Sequence, residues 1–235
     1  MVHDDLGDDL WTLPTLTVRA LHVGPMDNVA YLLTCPVTGT QALVDAAAEP
    51  ERLLALVAAH GTGRLETVVT THRHPDHVGA LAAVVAATGA RVATGAEDAD
   101  AVTEATGCPV DLRLGHADRF VLGGALLEIV ALRGHTPGSV ALVHGSPTAP
   151  AVPGHRPDAP QDVPGGVVVL TGDSLFPGGV GNTQHDQARF TALLTDVRER
   201  LFAPYPDALV LPGHGAPTTL ATERPHLDTW EQRGW

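Results

Sequence analysis

The sequence predicts an α/β sandwich, with layered β-sheets inside and helices outside, and three observations carry that prediction. Short apolar runs bounded by turn residues alternate with helix-length amphipathic segments along the chain. The composition is globular, 44% hydrophobic and 17% charged, which excludes wholesale disorder and a collagen-like repeat. A length of 235 residues is enough for one large domain with a substantial core, and neither a linker nor a short fixed-period repeat divides it. Mixed strands and helices of this kind pack as layers.

Taken in order, residues 17–23 (TVRALHV), 29–34 (VAYLLT) and 41–45 (QALVD) read as strands, bounded by turn residues such as Gly24-Pro25 and Gly39. Glu49–His60 reads as a helix with Pro50 in its first turn, where no N–H is needed, and Gly61 separates it from the β-branched run ETVVTT at 66–71. From Asp76 to Ala87, the residues Val78, Leu81, Val84 and Val85 share one helical face, and Gly89 closes that helix before the strand RVAT at 91–94. Strands recur at 118–121, 125–132, 139–143 and 167–171; a helix spans 186–201, and ALVL at 208–211 is a further strand. The Pro/Ala/Gly-rich stretch near 145–166 reads as a surface loop or an extended hairpin connection. The tail ERPHLDTWEQRGW is amphipathic and suited to cover an edge of the sandwich, with Trp230 and Trp235 as packing residues.

The formal charge is −13, from 14 basic and 27 acidic residues, and every basic residue is Arg. So acidic a chain lacks the counterion-releasing surface of a general nucleic-acid binder. Without Lys, Schiff-base and P-loop-lysine chemistry are excluded. Cys35 and Cys108 lie far apart and outside any CxxC pair, so no disulfide framework or Cys-rich zinc site is expected, and both read as buried small hydrophobes. The N-terminus MVHDDLGDDLW is acidic where a secretory signal is basic, and no apolar run approaches the roughly 18 residues of a membrane span. The chain therefore reads as soluble and cytoplasmic, without a nucleic-acid or membrane partner and with no legible oligomeric state.

The 13 histidines differ in where they fall. His72, His74, Asp76 and His77 lie in THRHPDH, where a β-branched strand ends and a helix begins. In an extended segment alternate residues face the same way, so His72 and His74 point together, and the helical start turns Asp76 and His77 back toward the same space. His135 in GHTPGS, Asp173 ending VVVLTGD and His214 in PGHG sit at later strand ends, each beside glycines that permit sharp turns into a shared cleft. Imidazoles and carboxylates suit Zn²⁺, Fe²⁺ or Mn²⁺, and this ligand set exceeds what one tetrahedral ion takes, so two divalent metal ions are expected. A strand-end histidine taken singly is more often a satisfied loop or core residue, and that reading stands for His3, His22, His60, His116, His144, His155 and His226. The joint pattern at successive strand ends is what lifts His72, His74, His77, His135 and His214 above it.

THRHPDH, GHTPGS, TGDSLF and PGHG, in that order, resemble the metallo-β-lactamase-fold hydrolases, and among them the glyoxalase II-like (hydroxyacylglutathione hydrolase-like) branch, from Asn28 and Asp45 through His214. The resemblance implies a four-layer αββα sandwich with a metal site along one edge. Carried over residue by residue, it implies that His72, His74 and His135 hold one metal, that Asp76, His77 and His214 hold the second, and that Asp173 bridges both. Two cations would then share a hydroxide whose pKa they depress, placed beside an electrophilic carbonyl. Asp76 would orient that hydroxide and pass a proton to the leaving group.

Within the family the ligand set narrows the reaction. Common two-zinc β-lactamases carry Cys at the position of Asp173 and usually lack the counterpart of His77, which disfavours antibiotic hydrolysis; the acidic, Lys-free chain disfavours a nuclease. Thioester hydrolysis by a binuclear metallohydrolase is the leading expectation, on a small-molecule thioester or related acyl substrate. Glyoxalase II enzymes hold glutathione with a C-terminal helical region, whereas residues 215–235 form a short tail, so hydroxyacylglutathione itself is left open as the substrate. The alternative is a mononuclear Fe(II) persulfide dioxygenase using the equivalents of His72, His135 and Asp173. Against it, Asn182 and Thr183 replace the Arg and Thr of that group's GRTDF-like segment. A third reading, a metal-stabilised binding module without catalysis, is disfavoured because structural zinc sites are closed and usually Cys-rich. The loop GGVGNT at 178–183 is expected to line the substrate pocket, with Asn182 and Thr183 as donors.

Overall fold

A computed structural model describes residues 9–145 and 163–234. The first sheet takes its seven strands in chain order: β1 (Leu10–Thr12), β2 (Thr17–Val23), β3 (Asn28–Thr34), β4 (Gln41–Val44), β5 (Leu65–Thr70), β6 (Arg91–Gly95) and β7 (Leu112–Leu114). β1 to β4 pair antiparallel through short turns, and β4 to β7 pair parallel. Parallel neighbours need crossovers, which α1 (Pro50–Ala59), α2 (Pro75–Val78) with α3 (Leu81–Thr88), and α4 (Ala99–Thr106) supply. There follow β8 (Arg119–Leu122), β9 (Ala125–Ala131), β10 (Val140–Gly145) and β11 (Val167–Gly172), a small hairpin of β12 (Leu175–Phe176) and β13 (Gly179–Val180), helix α5 (Gln187–Val197), β14 (Leu209–Pro212), β15 (Thr218–Thr219), and helices α6 (Leu220–Glu223) and α7 (Leu227–Arg233). The second sheet has six strands in the order β15-β14-β11-β10-β9-β8.

Strand periodicity decides which layer each side chain joins. All seven residues of β3 are buried because both faces are covered. Val29, Tyr31 and Leu33 enter a core shared by the two sheets, together with Val18, Ile129, Leu142 and Leu170. Ala30 and Leu32 face the other way, into a core where Leu53 and Leu56 of α1 and Leu81 and Val84 of α3 pack on Leu43 and Val68. Outside the second sheet, Phe190, Leu193 and Val197 of α5 and Trp230 of α7 pack on Val130, Val143 and Val169. Three apolar layers between four structural layers make the αββα sandwich that the sequence predicts. The helices are shorter than the roughly 12 residues at which an isolated helix becomes even marginally stable, so packing on the sheets holds them.

The expected strands are present within a residue or two, and the helix expected over 186–201 is α5 extended by a π-type turn at Arg198–Phe202. The helix expected over 76–87 is two helices. Ala80 N donates to Ala46 O (2.9 Å), outside the helix, which interrupts the helical ladder while Val78, Leu81 and Val84 stay in one core. β1, α4, β7, the β12–β13 hairpin and β15 are not among the elements the sequence predicts, because each is only two to eight residues long. Trp230 is buried edge-on to Phe202, so the tail packs as expected. Cys35 and Cys108 are both buried and free. The readings made on residues 1–8, on 146–162 of the Pro/Ala/Gly-rich stretch and on Trp235 lie outside the described residues. Among the described residues, no helix is long and apolar enough to cross a membrane.

His144 is the satisfied core histidine the sequence suggests: its Nδ1 donates to Leu126 O (2.8 Å), and Thr15 Oγ1 donates to its Nε2 (3.2 Å). Burial lowers its pKa, and the Leu126 carbonyl offsets only part of that. The unfolded chain therefore protonates first. The contribution of neutral His144 is complete above the unfolded value of about 6.5 and is lost as the pH falls from there through the folded value. Urea midpoints measured from pH 7.5 to 5 are expected to fall more steeply for the native chain than for His144→Gln; parallel curves would show that His144 does not contribute.

Candidate metal centre

The C-terminal ends of strands that run the same way share one edge of a sheet. In the first sheet β4, β5 and β6 run parallel, so Asp45, residues 71–77 and Asp98 emerge together. In the second sheet β11 runs parallel to β14, and also in the direction of β9 because β10 is antiparallel to both. His135, Asp173 and His214 follow the C-terminal ends of β9, β11 and β14. Backbone hydrogen bonds join the two edges, Val140 N to Thr71 O (2.9 Å) and Val29 N to Gly213 O (2.8 Å).

All seven residues singled out from the sequence meet at this junction. Ligand-type atoms of His72, His74 and His135 form one group, those of Asp76, His77 and His214 a second, and those of His72, His77 and Asp173 a third, each group lying within 4.8 Å. His74 Nδ1 lies 3.0 Å from His72 Nε2 and 2.9 Å from His135 Nε2. His77 Nε2 lies 3.1 Å from His214 Nε2, which lies 3.2 Å from Asp76 Oδ2. Asp173 faces both sides: Oδ1 is 3.4 Å from His77 Nε2, and Oδ2 is 3.5 Å from His214 Nε2 and 3.7 Å from His135 Nε2.

Partners behind the rings decide where their lone pairs point. His135 Nδ1 faces Asn182 O, His214 Nδ1 faces Met26 O, and His77 Nδ1 faces Asp45 Oδ2, each at 2.8 Å; these oxygens only accept, so the ring nitrogens donate. Thr71 Oγ1 gives its proton to Asp45 Oδ2 (2.8 Å) and so accepts from His72 Nδ1 (3.0 Å). Each of these four rings, when neutral, aims an Nε2 lone pair inward. Asp173 Oδ1 is buried with no hydrogen-bond partner. Acceptors facing acceptors at such separations repel unless cations lie between them, and an all-His/Asp donor set suits divalent transition ions.

The electrostatics agree with that fit. Burial pulls His77 down, but Asp45 and Asp173 overcome it and raise the ring to about 10, so this corner favours positive charge. Burial, then the neighbouring His77, hold His72 well below the histidine range. Burial also lowers His74 and His135, whereas Asp173 raises His214. Burial opposes ionisation of Asp173, yet the His214 and His77 rings hold it well below the usual carboxylate range. Burial likewise opposes ionisation of Asp76, and the Asn28 amide together with the His77 and His214 rings outweighs it. Gly213 leaves the room required, since a Cβ there would stand 2.3 Å from Asp173 Oδ1 and 2.7 Å from His77 Cε1.

Several contributors were not singled out in the sequence. Asn28 Nδ2 donates to Asp76 Oδ2 (3.0 Å), and Asp45 Oδ1 accepts from Thr71 N (2.7 Å). Asp45 did carry a signal, a carboxylate closing an apolar strand, as Asp173 does. Asn182 is exposed, with its Oδ1 accepting from Gln184 N (2.7 Å), while Thr183 is buried. Both line a cleft of about 480 Å³ with His185, Arg233 and the β12–β13 hairpin. A second groove, of about 760 Å³, opens on His74 and His135 between Arg73, Arg133 and Arg189.

A family model described as the metallo-beta-lactamase superfamily matches residues 23–214. The chain is 34% identical over 203 residues to the hydroxyacylglutathione hydrolase of Fuscovulum blasticum, covering 86% of this chain and 66% of that protein. It is 36% identical over 165 residues to the hydroxyacylglutathione hydrolase of Anaeromyxobacter dehalogenans (strain 2CP-C), covering 69% of this chain and 52% of that one. The chain thus spans between about half and two thirds of the length of these relatives. Among solved structures, TTHA1623 in a di-iron-bound form is similar with a TM-score of 0.60 at 28% identity, over 87% of this chain and 96% of that one. ETHE1 from Myxococcus xanthus shares the fold with a TM-score of 0.71 at 24% identity, over 92% of this chain and 84% of that one.

Replacing Asp45 with Ala leaves the Thr71 amide, the Thr71 hydroxyl and the His77 Nδ1–H without their acceptor in a buried site. A loss of about 3 kcal/mol or more in urea unfolding is expected. A midpoint unchanged from the native chain would show that these donors find other partners.

Proposed function

The chain belongs to the metallo-beta-lactamase superfamily, and on that premise we propose that it is a binuclear metallohydrolase that cleaves a small-molecule thioester. The observation that carries this reading is the inward aim of imidazole lone pairs and carboxylate oxygens in two groups with Asp173 between them. In this reading His72, His74 and His135 hold one ion, Asp76, His77 and His214 hold the other, and Asp173 is shared. Zinc is the first assignment, with iron or manganese also suited to the donor set. Bound there, two divalent ions supply a water deprotonated at neutral pH and an electrophile for the carbonyl oxygen.

The chain's own residues supply the rest. Asp76, kept ionised mainly by Asn28 against its burial, is the carboxylate placed to take up a proton and return it to the departing sulfur. A thiolate leaves readily, since a thiol's pKa is about 8.5, so a single acid/base group suffices. Asn182 and Thr183 line the cleft beside the β12–β13 hairpin, and the Asn182 carbonyl backs the His135 ring, which makes both candidate substrate contacts. The names of the hydroxyacylglutathione hydrolases among its relatives support a thioester substrate. A cytoplasmic setting, with both cysteines free, completes the reading.

The test pairs metal analysis with two assays. Close to two ions per chain, with thioester cleavage that chelation abolishes and Zn²⁺ restores, is the expected result. One iron per chain with oxygen uptake on a glutathione persulfide would replace it with the dioxygenase, and metal without either activity would replace it with a binding module. Asp173→Ala is expected to lower occupancy at both positions and to cost more than about 100-fold in kcat/KM; full two-ion occupancy would remove Asp173 from the shared role. His74→Ala is expected to lose activity while keeping the native circular dichroism, and native turnover would remove it from the ligand set.

A further inference from the structure

Asp98 lies just past β6, in the turn into α4, and its side chain is completely buried. Its hydrogen bonds go to none of the residues assigned to the metals, yet its carboxylate is spent on the two loops that carry His72, His74 and His135. Oδ2 accepts from Arg73 N (3.1 Å), the residue between His72 and His74, and from the hydroxyl of Thr136, which follows His135. Oδ1 accepts from Gly138 N (3.0 Å) and stands 3.6 Å from Arg73 Nε. The approach leaves no room for a side chain, because a Cβ on Gly138 would lie 2.4 Å from Asp98 N and 2.8 Å from Asp98 Cβ. Asp76, His77 and His214 are held elsewhere, by Asn28, Asp45 and the Met26 carbonyl.

We propose that Asp98 is the positioning residue for one ion alone, the one assigned to His72, His74 and His135. This rests on the reading of those three imidazoles as ligands. One buried carboxylate clamps the backbone at Arg73 to the backbone at Thr136–Gly138, and so sets the separation at which His72 and His74 meet His135. Charge-assisted bonds from backbone N–H groups are about twice as strong as neutral ones, which suits a clamp between two loops. An amide cannot replace it: Asn offers one accepting oxygen and an NH₂ that would face the Arg73 or Gly138 N–H, donor against donor. Thr136 and Gly138 of the GHTPGS segment thereby acquire a reason that the metal does not supply.

The test is the ratio of two Zn²⁺ affinities in Asp98→Asn, measured by competition with a chelator and by the absorption of the Co²⁺-substituted protein. One ion is expected to bind about 10- to 100-fold more weakly and the other with native affinity. If Asp98→Asn does not fold, Thr136→Val, which removes one donor from the clamp, is expected to weaken the same ion by a smaller factor. Two native affinities, or two affinities lowered alike, would overturn the proposal. Because no thioester is involved, native protein that binds two ions but cleaves no thioester would sink the proposed reaction and leave the clamp standing. His135→Ala protein that keeps both ions would sink the ligand reading, and the clamp with it.

Discussion

Four imidazoles at the centre of this protein are turned so that their inward nitrogens, when the rings are neutral, present lone pairs, and they face one another and two carboxylates across short distances. Elsewhere in a protein that arrangement would relax, because buried acceptors seek donors. Here it cannot relax, since each ring is committed on its far side to an oxygen that only accepts: Asn182 O, Met26 O, or an Asp45 oxygen reached directly or through Thr71. The scaffold stores electrostatic repulsion that cations remove, and the ionised state of Asp76 and Asp173 adds to the demand for positive charge. Affinity for metal and the shape of the fold are thus two aspects of one constraint.

Topology makes the constraint possible. Strands whose C-terminal ends coincide bring together loops that are distant in sequence, and the two sheets are joined at that same edge by backbone bonds from Val140 N to Thr71 O and from Val29 N to Gly213 O. A sandwich with one apolar layer between its sheets and two outside gives those loops a stiff base. Close-packed cores resist small displacements. The convergent rings can therefore be held against their mutual repulsion.

Much of this is written locally in the sequence. A strand, a turn and a helix start are each specified by a few neighbouring residues, so THRHPDH announces its own geometry, and the later strand-end ligands announce theirs through adjacent glycines. What local patterns cannot carry is a contact made by the third dimension alone. The break between α2 and α3 depends on Ala80 reaching Ala46 O. Asn28 matters because β3 begins where β4 ends, beside Asp76. Asp98 sits in AEDADAV, where nothing local distinguishes it from Glu97 and Asp100, and it is buried because the loops of His74 and His135 close over it. Polar residues that support a site from behind have no periodicity of their own, whereas ligands at strand ends do.

The supports differ between the two sheets, and the difference bears on the ligands. Carboxylates back the first-sheet histidines: Asp45 holds His77 directly and His72 through Thr71. Main-chain carbonyls back the second-sheet ones, Asn182 O for His135 and Met26 O for His214. A carboxylate behind an imidazole raises its basicity more than a neutral carbonyl does. Each ion in the proposed assignment therefore has one ring backed by Asp45, His77 directly and His72 through the Thr71 hydroxyl, and one ring backed by a main-chain carbonyl. Because Asp45 reaches both halves of the site, disturbing it would act on both ions at once, while Asp98 reaches one half only; the same edge of the first sheet thus carries a common support and a selective one.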